Sequence, residues 1–327
     1  MTTVTFTEEN NEIVWQQSSA QAKGMLEYWT KQAEQPVRST YLDTKSFTLN
    51  VLAAVMFNEV YPFEGQKVEK WDAPRLVKAR EEGEESNTDI TTIDKTSYKG
   101  RKTTLTKKGI SSHLFVCAFA GKDTTAITLT SLLIHLAAHL DTQDWISQET
   151  NYHLRTDTNV ESWKYETYFQ LKRCRAVIFE TLRICHPLSQ LVKTTGSQEI
   201  SLAVDGKIYL LPPHTTVLTS FTSAPVENPS TQDFDKEKIE ADTSHHFMPF
   251  AWGQRVYPGK KFAQVELVAV LAVLFKDWRV EIIPNDGETG KQARERAWKS
   301  SLAVDHERHM LHVMFDPESV GLRWVRR

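Results

Sequence analysis

The densest chemistry in this sequence is a tyrosine set between an arginine and a glycine. Phe250–Ala263 reads Phe-Ala-Trp-Gly-Gln-Arg-Val-Tyr-Pro-Gly-Lys-Lys-Phe-Ala. Gly253 and Gly259 permit a positive φ or a close backbone approach. Arg255 puts a permanent cation into the bend, and Gln264–Phe275 continues as an apolar helix. A rigid loop, a cation for an acidic group and a helix behind make a cradle for a cofactor. A second stretch, Ala120-Gly121-Lys122-Asp123-Thr124-Thr125, places a carboxylate and a hydroxyl after two small residues. Thr124 can bond the carbonyl one turn back and loosen the helical ladder there. The bland reading of that stretch is a small-residue helix crossing. Glu180 and Arg183 lie three apart, on one helix face. Such a pair is usually a surface one and adds little.

These residues need helices to hold them. Phe6–Lys31 opens with Thr7 as a cap and Glu8 and Glu9 in the first turn. Its apolar stripe is Ile13, Val14, Ala20, Met25, Leu26 and Trp29, and Gln35-Pro36 ends it. Further helices are expected over Phe47–Val60, Ile110–Leu140, Asp144–His153 and Tyr168–Cys185, the last stopped by His186-Pro187. Short strands are expected over Glu199–Val204, Lys207–Leu211 and Thr215–Thr219, with Asp205-Gly206 as a hairpin turn. Trp278–Ile283 reads as a strand, Asn285–Val304 as a polar stretch, and His312–Phe315 with Gly321–Val325 as a terminal strand pair. Glu64–Gly109 is rich in charge and poor in large apolar residues, which suits a solvated helix and a mobile loop. The fold class is mainly α with a small β-sheet.

Bulk composition narrows the function classes. The chain has 327 residues, 40% hydrophobic and 25% charged, with a net charge of −3. That is an ordinary globular composition with no basic footprint for nucleic acid. The three cysteines, Cys117, Cys174 and Cys185, are too few and odd in number for a disulfide framework, and they sit in apolar helical patterns as small hydrophobes. The longest apolar run, Phe262–Phe275, is shorter than the ~20 residues a membrane helix needs. A cytoplasmic location without a membrane anchor is the expectation.

The spacing Phe-x-x-Gly-x-Arg-x-ligand-x-Gly resembles the haem-binding loop of the cytochrome P450 family. The Ala-Gly-x-Asp-Thr-Thr stretch resembles that family's oxygen-activation motif, and Glu180-x-x-Arg183 its buried structural pair. All three stand in the family's order, with the strand hairpin between the second and third. The resemblance is strongest over Ile110–Phe275, inside one domain spanning 1–327 in which 64–110 is shortened. It implies a partial fold without the family's first helices, first strands and most substrate-covering helices. Haem would be held by Phe250, Gly253, Arg255 and Gly259, and Asp123 and Thr124 would pass protons toward bound oxygen. A small lipophilic substrate and a reductase as redox partner are implied for an active member. Full-length members are membrane-bound at the endoplasmic reticulum.

One departure dominates. The family's ligand is a cysteine thiolate, and here Tyr257 occupies that position. Tyrosinate ligates haem iron in catalase but does not supply the thiolate push. Val226 stands where a propionate-binding histidine is common, Ala224–His246 offers no arginine to complete the Glu180–Arg183 triad, and His245 and His246 are nearby loop histidines. A transcript that omits exons would account for missing segments, though not for a tyrosine inside an intact motif. The expectation is therefore a P450-like protein of a fungal secondary-metabolite pathway, impaired or inactive as a haem monooxygenase. The alternatives are a repurposed non-redox scaffold, such as a cyclase or binding partner, and a haem oxidoreductase with Tyr257 as axial ligand. Apolar faces that pack on the lost elements would be left exposed.

Overall fold

The computed structural model of the protein describes residues 7–31, 35–65, 107–155, 159–220, 249–251, 256–305 and 311–327, with residues 57 and 107–119 described by backbone alone. Among these, seven α-helices and six strands appear in the order α1 (Glu8–Lys31), α2 (Thr40–Phe57), α3 (Lys107–Ala138), α4 (Leu140–His153), α5 (Lys172–Ile184), β1 (Gln190–Thr194), β2 (Ile200–Val204), β3 (Lys207–Leu211), β4 (Thr216–Ser220), α6 (Lys260–Lys276), β5 (Trp278–Ile282), α7 (Gly290–Ser301) and β6 (Leu322–Arg326). The charged stretch 66–106 and the residues 221–248, which include Val226, His245 and His246, lie outside the described residues.

The core is built around α6. Its residues from Val265 to Phe275 are buried on every side, as a helix apolar all round requires. It packs against α1, α4 and α5 and touches α3. The cap expected on α1 is present, with Thr7 Oγ1 accepting the Asn10 N–H at 3.2 Å. Its buried face differs from the predicted stripe. Ile13 is 38% exposed and Ala20 is exposed, while Trp15, Ser18, Ser19 and Ala22 face inward. Trp15 decides the rotation: its ring is fully buried and its Nε1 donates to the Trp163 carbonyl at 3.0 Å. Trp29 likewise stacks on Trp324 at 5.4 Å and donates to Asp43 at 2.7 Å.

The strands form three antiparallel pairs, β1 with β4, β2 with β3, and β5 with β6. The β2–β3 turn is as expected, with Asp205 at φ 49° and Gly206 at φ 75°. The expected terminal pair is not formed. β6 pairs with β5, because Val280 faces Trp324 and Ile282 faces Leu322, and all four are buried. Leu311 and Met314 make isolated bridges to Leu188 and Val304. Asn285–Val304 is not merely a polar stretch, since it contains α7. Thr289 and Gln292 close a capping box there, and Ala293 and Ala297 are buried.

Candidate functional site

The glycine loop closes on itself ahead of α6. The Tyr257 N–H donates to the Phe250 carbonyl at 2.8 Å, and the Lys260 N–H to the Tyr257 carbonyl at 3.1 Å. The Phe250 and Tyr257 rings stack at 6.4 Å and 14°. Gly259 has φ −81°, so it is not there for a left-handed turn. A Cβ on Gly259 would stand 2.9 Å from the Tyr257 ring, well inside van der Waals contact. Its role is close approach, and what approaches is the tyrosine itself. Gly253 and Arg255 lie outside the described residues.

The loop is tied to α5. Phe179 meets Phe250 edge to face at 6.2 Å. Just past the helix, His186 reaches back: its Nε2 lies 3.0 Å from the Pro249 carbonyl, and its Nδ1 accepts the Leu188 N–H at 3.1 Å. Burial holds this imidazole's pKa below the ordinary histidine value. Neither contact was legible in the spacing of the motifs. The signal that could have found His186 is its place before Pro187, which takes it out of helical backbone.

Glu180 and Arg183 form the expected pair with fork geometry, Nε to Oε2 at 2.7 Å and Nη2 to Oε1 at 2.6 Å. The hydrogen bond to Glu180 raises the guanidinium pKa. Both side chains are 21% exposed, so the pair is half-buried. Among the described residues they bond to each other alone. Support of the described part of the loop runs through Phe179 and His186.

On α3, Thr124 Oγ1 donates to the Ala120 carbonyl at 2.7 Å, as the sequence suggested. Asp123 lies 3.3 Å from Lys45 of α2, and Thr48 of α2 donates to the Lys122 carbonyl at 3.1 Å. A Cβ on Gly121 would meet a Leu52 methyl at 3.3 Å. The space beside Gly121 is therefore filled by α2, which makes this glycine part of a helix crossing. Asp123 is paired with Lys45 of α2, while Tyr257 stacks on Phe250. α3 packs on both α5 and α6, the two helices that flank the loop.

These residues do not fit a haem held by a thiolate. Tyr257 presents a phenol in place of a thiol, and its ring stacks on Phe250 and stands against Gly259. Cys174 is fully buried, with its thiol pKa pushed up by burial. Burial pushes the Cys185 thiol up to about 12, and its sulfur lies 3.8 Å from His135. Both thiols stay protonated at neutral pH. Cys117 falls where only the backbone is described. Among the described residues no cluster of three or more His, Cys, Asp or Glu is placed to hold a metal ion.

A mainly helical chain, with a glycine loop feeding a buried helix and a Glu-x-x-Arg pair on the helix behind it, defines the class. The family model for cytochrome P450 matches residues 67–302, and the chain belongs to the cytochrome P450 family. It is 26% identical to a cytochrome P450 monooxygenase of Arthrobotrys oligospora, over 60% of this chain and 39% of the relative. It is 28% identical to cytochrome P450 monooxygenase 124 of Postia placenta, over 62% and 41%. It is 25% identical to the fusicoccadiene 8-ol C-16 hydroxylase of Alternaria brassicicola, over 64% and 44%. A crystal structure of a cytochrome P450 shares the fold with a TM-score of 0.67 at 16% identity, covering 87% of this chain and 75% of that one. The chain spans about two fifths of the curated relatives it matches. No helix among the described residues is long and apolar enough to cross a membrane.

Proposed function

We propose that this chain is a cytochrome P450 scaffold impaired as a haem monooxygenase, belonging to a fungal secondary-metabolite pathway. Tyr257 carries the reading. Its phenol is packed into the loop at the position where the family presents a thiolate. When bound in this family, thiolate-held haem supplies oxygen chemistry driven by electron donation from sulfur. Asp123 and Thr124 are the residues that the family resemblance would make proton carriers. With Asp123 paired to Lys45, that carboxylate serves first as a tie between α2 and α3. The names of the fungal relatives, one a hydroxylase of a fusicoccadiene-ol, support a small lipophilic ligand for the scaffold, and membership of the family supports a reductase for any member that retains turnover.

The test is expression with a haem supply, followed by absorbance, a pyridine-haemochrome assay and a carbon monoxide difference spectrum. The expected result is no thiolate band. Tyr257→Cys restores the ligand type and is expected to recover little of that signature. A strong thiolate band in the unmodified protein refutes the proposal. A haem absorbance band without the thiolate signature would move the reading to an oxidoreductase with Tyr257 as axial ligand.

A further inference from the structure

We propose that His186 is a positioning residue for the glycine loop, setting where Pro249, Phe250 and thereby the Tyr257 phenol stand. The imidazole has a fixed base. The Cys185 N–H closes α5 on the Thr181 carbonyl at 2.7 Å, and the His312 N–H holds the Pro187 carbonyl at 2.9 Å. Leu188 is bridged to Leu311. His186 is 5% exposed, so both ring nitrogens must find partners inside the protein. The arrangement assigns one tautomer. Nδ1 accepts the Leu188 N–H at 3.1 Å, with the Leu188 carbonyl also 3.0 Å away, and Nε2–H donates to the Pro249 carbonyl at 3.0 Å.

From Pro249 the chain of contacts is short. The next residue, Phe250, lies edge to face on Phe179, accepts the Tyr257 N–H through its carbonyl and stacks on the Tyr257 ring. Proline cannot donate a backbone hydrogen bond, so its carbonyl is the main-chain group by which Pro249 can be held. Releasing it frees the near end of the loop, while Lys260 and α6 keep the far end.

Two measurements test it. In the unmodified protein, nitrogen-15 NMR of His186 is expected to show the Nε2-protonated neutral tautomer; the Nδ1-protonated one overturns the assignment. In His186→Asn the side chain still reaches Leu188 but falls short of Pro249. Amide exchange at Tyr257 is expected to rise about tenfold, the worth of one hydrogen bond, with the amides of β5 and α7 unchanged. His186→Gln, which restores a donor near the Nε2 position, is expected to return Tyr257 to near the wild-type rate. No change at Tyr257 in the asparagine variant, or an equal rise throughout β5 and α7, rules the role out. The first would mean that the bond does not hold the loop, and the second that His186 merely stabilises the whole fold.

Discussion

At the scale of single residues, two buried ionisable groups pull the pH dependence of stability in opposite directions. Glu266 on α6 is 1% exposed, one of its carboxylate oxygens has no hydrogen-bond partner, and burial raises its pKa well above the ordinary carboxylate value. The folded protein therefore favours the protonated acid more than the unfolded chain does. Relative to a neutral residue, its contribution is intact below pH 4.5 and is lost as pH rises above that. Glu266→Gln should raise the Tm by a few degrees at pH 7, with the gain vanishing near pH 4 in scanning calorimetry. His135 does the reverse. Burial and His139 pull its pKa from 6.5 to about 3, while its Nε2 pairs with Ser301 at 2.9 Å. The unfolded chain takes up a proton below pH 6.5 that the folded one refuses, so stability falls as pH drops from 6.5 toward about 3, by at most about 1.4 kcal/mol per pH unit. Replacing His135 by asparagine should flatten that limb in denaturant titrations at stepped pH, whatever it does to stability at neutrality.

At the scale of elements, α5 depends on a residue from another helix. Its own N-cap, Leu171, makes no side-chain cap. The Glu149 carboxylate from α4 accepts the Arg173 N–H at 3.0 and 2.8 Å and the Cys174 N–H at 3.3 Å. Glu149→Ala should cost about 1–2 kcal/mol in urea unfolding, as a lost helix cap does, and should loosen the amides of Arg173 and Cys174 first. Local signals such as the Thr7 cap, the Asp205-Gly206 turn and the Thr124 back-bond were legible because each is settled within a few residues. The capping box Thr289-x-x-Gln292 is equally local, but the charge around it masks the two buried alanines in the sequence. Glu149, Leu52 against Gly121, and β6 on β5 were not legible. Each joins segments far apart in the chain, and no periodicity in either partner encodes the meeting. The motif spacing around Tyr257 gave the family, while what the ring leans on came only from the packed structure.

At the scale of the molecule, the apolar surface is unevenly covered. On the β2–β3 hairpin, Ile200, Leu202, Val204, Ile208, Tyr209 and Leu210 are 43–73% exposed. Side chains alternate across a strand, so the Leu202–Tyr209 pair lies on one face and the Ala203–Ile208 pair on the other. The hairpin is thus apolar on both sides, a liability of the kind that edge charges normally blunt. Ile208→Thr combined with Leu210→Lys should reduce concentration-dependent light scattering and leave the Tm nearly unchanged, because neither side chain belongs to the core.

The contact between Gly259 and the Tyr257 ring also makes the two positions a linked pair in any search of sequence space. A side chain at 259 and a large ring at 257 claim one volume, so the acceptable residues at the two sites are anticorrelated in size. A library randomised at both positions and selected for folding should return small residues at 259 with aromatic ones at 257, and larger residues at 259 only where 257 has shrunk. Independent preferences at the two positions would show that the ring has another resting place. On the packing described, exchanging the tyrosine for a smaller residue leaves Gly259 free to drift, after which the tyrosine cannot return by a single step.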